Sequence, residues 1–152
     1  MQAESVDKPE VEYVGFWVRV GAAVIDSFWL LPVIIGIIWW AYGAGYLDGI
    51  EGRVFAGTAD FFAQMVFPAL ASIVFWLIRG ATPGKMLFGA EIVDTKTLGK
   101  ITPVQAVLRY IGYYVSIIPF FLGIFWVAFD ARKQGWHDKI AGTLVIRAKN
   151  KS

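Results

Sequence analysis

The sequence predicts an all-α membrane protein: a small bundle of three transmembrane helices, or of two plus a re-entrant or hairpin third segment, with two short cytoplasmic strands. Of its 152 residues, 57% are hydrophobic and 17% are charged, whereas soluble domains have about 25% charged residues. Uncharged runs cover residues 27–47, 61–78 and 110–129, and each is long enough for a membrane span. Basic residues cluster between and after these runs.

The first helix is predicted over residues 13–42 and ends at Gly43. Residues 1–12 hold four acidic side chains and one lysine, the opposite of the basic start of a signal peptide. We therefore expect a disordered N-terminal tail and a retained helix. A single membrane domain is predicted over residues 13–147, followed by a basic C-terminal tail over residues 148–152.

The second membrane helix is predicted over residues 61–78, behind Thr58 and Asp60, which suit a helix N-terminus. A turn-rich basic connector follows. Within it, residues 90–94 alternate between apolar and acidic side chains, which is typical of a short strand. A second strand is predicted at residues 142–147.

The third apolar segment begins with a capping box formed by Thr102 and Gln105. Gln105, Arg109, Gly112 and Ser116 then recur at helical spacing, so they form one stripe of polar or small residues on an apolar helix. Gly112 and Ser116 lie four residues apart, a spacing that lets another helix approach closely.

The distribution of lysine and arginine orients the protein in the membrane. The loop after helix 1 has only Arg53, whereas the connector (residues 79–109) has five basic residues and the tail after residue 129 has six, which predicts a cytoplasmic connector and N-terminus. Residues 110–129 either cross once, or the helix from residue 103 turns back near Pro119 and leaves the tail in the cytoplasm. We favour the second, which also lets the two strands pair. Since its 27 residues span at most about 40 Å as helix, such a segment must be shallow or re-entrant.

Two charges lie in the first apolar helix. Arg19 and Asp26 are seven residues apart and therefore share one helix face, about 10 Å from each other. Arg19 can reach the interface as an anchor, but an aspartate side chain is too short to do so. Asp26 is either part of a structural ion pair or a titrating, ion-coordinating group. Arg109 lies at a similar depth from the same side, so we predict an Asp26–Arg109 pair within a polar site formed by Arg19, Asp26 and Arg109.

Other sites receive weaker support from the sequence. There are no cysteines and only one histidine, His137, so we expect no metal, no cofactor and no enzymatic activity. The net charge of +2 is too small to indicate nucleic acid. We expect a set of basic residues to contact anionic lipid headgroups: Lys85, Lys96, Lys100, Arg132 and Lys133.

Three segments carry a resemblance to a known family. They are residues 15–19 (GFWVR) with Asp26, residues 82–89 (TPGKMLFG) with Asp94, and residues 136–143 (WHDKIAGT). In this order they resemble the RDD family of small bacterial multi-pass membrane proteins. The resemblance identifies Arg19, Asp26 and Asp138 as the residues after which that family is named.

The resemblance implies a class more than an activity, since transport is only suggested for such proteins, and cation/proton exchange for some relatives. Two hypotheses follow. One is an oligomeric transporter or exchange component of the cytoplasmic membrane that uses Asp26. The other is a non-transporting adaptor or assembly factor that docks a membrane-protein partner and whose buried charges only fix helix packing.

Overall fold

The computed structural model describes residues 10–149, which form helices α1–α8 and strands β1–β3. In chain order the elements are β1 (Val11–Tyr13), α1 (Phe16–Tyr42), α2 (Tyr46–Gly49), α3 (Thr58–Phe61), a π-helical turn (Phe62–Val66), α4 (Phe67–Arg79), α5 (Pro83–Leu87), β2 (Ala90–Asp94), α6 (Pro103–Ile117), α7 (Leu122–Phe125), α8 (Trp136–Ala141) and β3 (Thr143–Ala148).

Two helical stretches, Phe16–Gly49 and Thr58–Arg79, are long and apolar enough to cross a membrane, which confirms the first two predicted helices. α1 ends at Gly43, whose positive φ of 56° suits a residue without a side chain. The π-helical turn ends two residues before Pro68, which lacks the N–H needed for a regular helical hydrogen bond.

The third apolar segment is bent. α6 begins at the predicted capping box, in which the Thr102 N–H donates to Gln105 Oε1 (2.9 Å) and the Gln105 N–H donates to Thr102 Oγ1 (3.2 Å). Beyond α6 the chain turns by 110° into residues Leu122–Ala128. Phe120 and Phe121 adopt left-handed backbone conformations in this turn. The break therefore falls at the predicted position, after Pro119.

The three strands form one antiparallel sheet in the order β1-β3-β2. Ile92 lies opposite Val145, which confirms the predicted pairing of the two strands. β1 is a correction, because the sequence predicts a disordered tail for its residues Val11 and Glu12, whereas both lie in a strand. Three residues are too few for a recognisable strand pattern. The strand is defined by its pairing with β3, in which Tyr13 lies opposite Ile146. Ala148 likewise ends β3 rather than beginning a tail. The rest of the two predicted tails, residues 1–9 and 150–152, lies outside the described residues.

The small-residue stripe of α6 accommodates the chain that folds back on it. Arg109, Gly112 and Ser116 are all buried. A Cβ on Gly112 would lie 2.8 Å from the Cα of His137, and a Cβ on Gly123 would lie 2.7 Å from the Cα of Ser116. Residues without side chains thus let α8 and α7 pack directly on α6, as the spacing predicts.

Candidate functional site

One buried carboxylate joins three distant parts of the chain. Asp138, at the start of α8, accepts hydrogen bonds from Arg19 of α1 (Nη1 to Oδ2, 2.6 Å) and from Arg109 of α6 (Nη1 to Oδ1). Asp138 and Arg109 have no exposed side-chain surface, and Arg19 has 10%. We call these three residues the charge junction. Two guanidinium groups therefore share one carboxylate away from solvent.

The other donors of Arg19 are used by the backbone. Its Nη2 donates to the carbonyl of Lys133 (2.6 Å) and its Nε to the carbonyl of Val14 (3.1 Å). Arg19 therefore ties the start of α1 both to the chain before α8 and to the residue that follows β1. Such use of all three nitrogens makes it a structural crosslink and not only an interfacial anchor.

Arg109 is satisfied in part by aromatic faces. Its Nη1 also donates to Thr143 Oγ1 (2.7 Å), whereas Nε and Nη2 have no hydrogen-bond partner among the described residues. The guanidinium carbon lies 5.4 Å from the ring centre of Trp76 and 5.7 Å from that of Tyr113, within the range of cation–π attraction. The aromatic residues of α4 and α6 thus partly compensate the missing hydrogen bonds.

The environment keeps Asp138 ionised. Burial alone would raise the pKa of the Asp138 carboxyl, but the adjacent Arg109 and Arg19 guanidinium groups outweigh it and hold this pKa well below its usual range. The Gly135 N–H adds a hydrogen bond of 3.0 Å. The junction therefore carries a permanent negative charge between two permanent positive charges.

His137, next to Asp138, is neutral. Burial, together with the positive charge of Arg109, lowers the pKa of its imidazole to about 3. The ring stacks on Tyr113 with centroids 4.1 Å apart. Its Nε2 lies 3.6 Å from Asp138 Oδ2, too far for a hydrogen bond, and neither ring nitrogen has a partner among the described residues.

Asp26 binds the connector between the second and third apolar segments. Its carboxylate accepts hydrogen bonds from Thr82 Oγ1 (2.6 Å), the Gly84 N–H (2.7 Å) and, more weakly, Trp29 Nε1 (3.2 Å). Glycine is required at position 84, because a Cβ there would lie 2.0 Å from the carbonyl oxygen of Ala22. Asp26 thus holds the start of α5 against the middle of α1.

The predicted Asp26–Arg109 pair is wrong. Arg109 binds Asp138, and Asp26 binds the hydroxyl and backbone donors at the start of α5. Similar depth in the membrane did not bring the two side chains together, because the packing of α5 and α8 gives each of them a nearer partner. Of the predicted polar site, Arg19 and Arg109 do meet, through Asp138, while Asp26 stands apart from them.

Asp26 also lines a cavity of about 380 Å³ between α1, α4 and α6. Polar side chains on its wall come from the helices and the connector: Asp26, Ser27, Ser72, Thr82, Lys85, Tyr110, Tyr113 and Tyr114. Within residues 10–149 no group of three or more metal-ligating side chains is close enough to hold a metal ion. Its volume and its polar wall allow the cavity to hold water or a small polar solute next to a buried carboxylate.

Lys85 corrects the predicted set of headgroup contacts. It is only 9% exposed and faces the cavity, because α5 turns inward onto α1. Lys96, Lys100 and Arg132 are exposed and Lys133 is half-buried, so lipid contact stays a prediction for these four.

Two long apolar helices, together with buried charges that join the first of them to α6 and α8, define the chain as a membrane protein with a polar interior. It belongs to the RDD family, whose family model matches residues 13–142. The three residues that the resemblance predicts as the family's name-giving ones divide between the charge junction, which contains Arg19 and Asp138, and the connector contact made by Asp26.

Its relatives are uncharacterized. The chain is 31% identical to the uncharacterized membrane protein YteJ of Bacillus subtilis, over 90% of this chain and 82% of the relative. It is 30% identical to the uncharacterized protein YxaI of the same organism, over 87% and 95%. An uncharacterized protein of Rickettsia prowazekii is 42% identical, over 50% of this chain but only 42% of the relative's length. No solved structure matches the chain significantly.

The charge junction predicts that substitution by asparagine destabilises the protein far more at Asp138 than at Asp130, an aspartate of the same region. Asp138→Asn leaves two buried guanidinium groups without a counter-charge, so it should lower the free energy of unfolding by about 3–5 kcal/mol. Asp130→Asn is the matched control, because the Asp130–Lys139 pair is partly exposed and should cost about 1 kcal/mol or less. Thermal and denaturant unfolding in detergent measures both. Equal losses would contradict a dominant role for the junction.

His137 predicts that the free energy of unfolding depends on pH between about pH 5 and 6.5. Histidine is the side chain whose unperturbed pKa lies near this range, and the sequence has only this one. The unfolded chain binds a proton at this residue below about pH 6.5, whereas the folded protein does so only near pH 3. The free energy of unfolding should therefore fall by about 1.6 kcal/mol from pH 6.5 to pH 5. His137→Phe, which keeps an aromatic ring on Tyr113, should flatten this dependence. An unchanged slope in the variant would argue against a neutral buried imidazole.

Proposed function

We propose that this protein is a non-enzymatic, oligomeric transport component of the cytoplasmic membrane that binds a proton or a monovalent cation at Asp26. The observation that carries the proposal is a carboxylate only 9% exposed, within an apolar helix, on the wall of a cavity of about 380 Å³. An ionisable group in such a place is costly, and in membrane proteins it commonly lies on an ion or proton pathway.

The composition of the cavity wall supports exchange. The hydroxyls of Ser27, Ser72 and Thr82 add oxygen atoms of the kind that monovalent cations and water bind. The ammonium of Lys85 lines the same cavity. The positive charge of Lys85 repels a cation or proton at Asp26 and therefore weakens its binding there. This arrangement suits a site that must release its ion.

Oligomerisation is part of the proposal, because a chain of this size encloses a pathway poorly. The cavity lies between α1 and α6, where Ile117 and Tyr114 are 40% and 44% exposed. Large apolar side chains on both helices, such as Phe28 and Ile111, are also exposed. A second copy covering this face would close the cavity laterally against lipid.

We further propose that the N-terminus, the connector and the C-terminal region all lie in the cytoplasm, which makes the third apolar segment re-entrant. Its support is the sheet, in which β1, β2 and β3 come from these three regions and are hydrogen-bonded to one another. Strands of one sheet cannot be separated by a bilayer. The excess of basic residues in the connector and the tail favours the cytoplasmic side.

This topology can be tested by cysteine labelling, because the natural chain has no cysteine. Thr97→Cys in the connector and Ala131→Cys after α7 should react with a membrane-impermeant maleimide only in inside-out vesicles. Glu51→Cys, in the loop after α2, should react only in right-side-out vesicles or intact spheroplasts. Labelling of positions 51 and 131 from the same side would show that the third segment crosses the membrane once and would refute the re-entrant arrangement.

Transport can be tested in proteoliposomes that hold a Na⁺ or K⁺ gradient and an internal pH indicator. The wild-type protein should couple cation movement to proton movement, and Asp26→Asn should reduce the rate at least tenfold. This variant keeps one oxygen as acceptor for Thr82 or Gly84, so the fold should persist. Asp48→Asn, in exposed α2, is the matched control and should behave as wild type.

An absence of exchange by the wild-type protein under every gradient would refute the transport proposal and favour the second candidate, a membrane adaptor or assembly factor. One observation favours that candidate: the carboxylate of Asp138, all three nitrogens of Arg19 and Nη1 of Arg109 are used inside the protein, where they fix packing. An adaptor should then co-purify with a stable membrane-protein partner.

A further inference from the structure

A second, smaller cavity lies on the other side of Lys85. It measures about 150 Å³ and is bordered by α1, α5, α6, α7 and α8. Four of its lining side chains carry hydrogen-bond donors: Arg19, Lys85, Tyr113 and His137. The others are apolar, and no carboxylate lines this cavity. Its polar surface is thus suited to an acceptor of hydrogen bonds.

Two of these residues are buried and make no hydrogen bond through their side chains to the part of the chain that the structure describes. The ammonium of Lys85, a residue 9% exposed, makes no hydrogen bond or salt bridge with any described residue. His137 is 2% exposed, and both its ring nitrogens are unpartnered within residues 10–149. Buried polar groups without partners are rare and costly in native structures. The ring nitrogens of His137 have almost no accessible surface, so it is the ammonium of Lys85 that points to a ligand supplying the missing acceptor.

The charges around the cavity are also unbalanced. Arg19 and Arg109 share the single carboxylate of Asp138. Asp26 is the other buried carboxylate nearby, and three donors already occupy it. Three cations, counting Lys85, against two carboxylates leave one positive charge without an internal counter-charge. A bound monoanion would neutralise it.

We propose that this smaller cavity is a binding site for a phosphate oxyanion, with Lys85 as its charged contact and the Tyr113 hydroxyl as a further donor. A cavity of about 150 Å³ corresponds to roughly five waters, which is room for such a group. The phosphate can come from free inorganic phosphate or from the headgroup of an anionic lipid. The proposal does not depend on transport at Asp26, since binding is measured without an ion gradient.

Two arms of one experiment test the site and distinguish the sources. In the first, calorimetric titration of the full chain in a non-ionic detergent measures binding of inorganic phosphate. In the second, native mass spectrometry measures retention of phosphatidylglycerol relative to phosphatidylcholine after release from mixed nanodiscs. Saturable binding in the first arm indicates free phosphate. Selective retention in the second arm alone indicates a lipid headgroup.

In the arm that shows binding, Lys85→Met should weaken it at least tenfold. Lys149→Met, which removes an exposed lysine, should leave it unchanged. Ile124→Phe fills the cavity without changing a charge, so it should cause the same loss and replaces Lys85→Met if that variant does not fold. The proposal is overturned if neither ligand binds saturably, or if the cavity variants bind as tightly as wild type.

Discussion

The structure depends on the charge junction, in which Asp138 lies between Arg19 and Arg109. Removal of these groups from water is expensive, and their mutual attraction, their hydrogen bonds and the aromatic rings beside Arg109 compensate for it. The sheet makes the meeting possible. Tyr13 pairs with Ile146, and the Val14 N–H donates to the Val145 carbonyl at 2.9 Å. The chain entering α1 therefore runs antiparallel to the chain leaving α8, which brings the first turn of α1 beside Asp138.

The same helix face carries the second polar contact. Arg19 and Asp26 are separated by two turns of α1, so Arg19 faces the C-terminal region while Asp26 faces the connector at Thr82 and Gly84. At Gly84 the backbone of α5 packs directly against the backbone of α1, so closely that no side chain would fit between them. α1 thus organises both regions that follow the other apolar segments.

Sequence patterns predict those elements that depend on neighbouring residues. The length of the apolar runs predicts the two long helices, the capping box at Thr102 predicts the start of α6, and alternating polarity predicts β2. Partners of buried charges lie beyond such reasoning. The distance of a residue from the helix end predicts how deep its side chain lies in the membrane. The rotation of the helix and the folding back of α8 determine whether Arg109 meets Asp26 or Asp138. α5 and α8 are five and six residues long, too short for a periodic signal, so the inward position of Lys85 was not predictable.

The two polar contacts differ in how easily they can be released, and this bears on which of them can take part in exchange. A group that binds and frees an ion must change partners locally. Asp138 cannot do so, since its contacts hold α1, α6 and α8 together, and a loss of any one would disturb the sheet as well. Within residues 10–149, Asp26 accepts side-chain hydrogen bonds only from its own helix and from the start of α5. A small outward movement of α5 would free this carboxylate toward the larger cavity and move Lys85 with it, while the junction stayed intact. In the exchange proposed at Asp26, the element that would have to move is therefore α5, and the charge junction would be the fixed frame against which it moves.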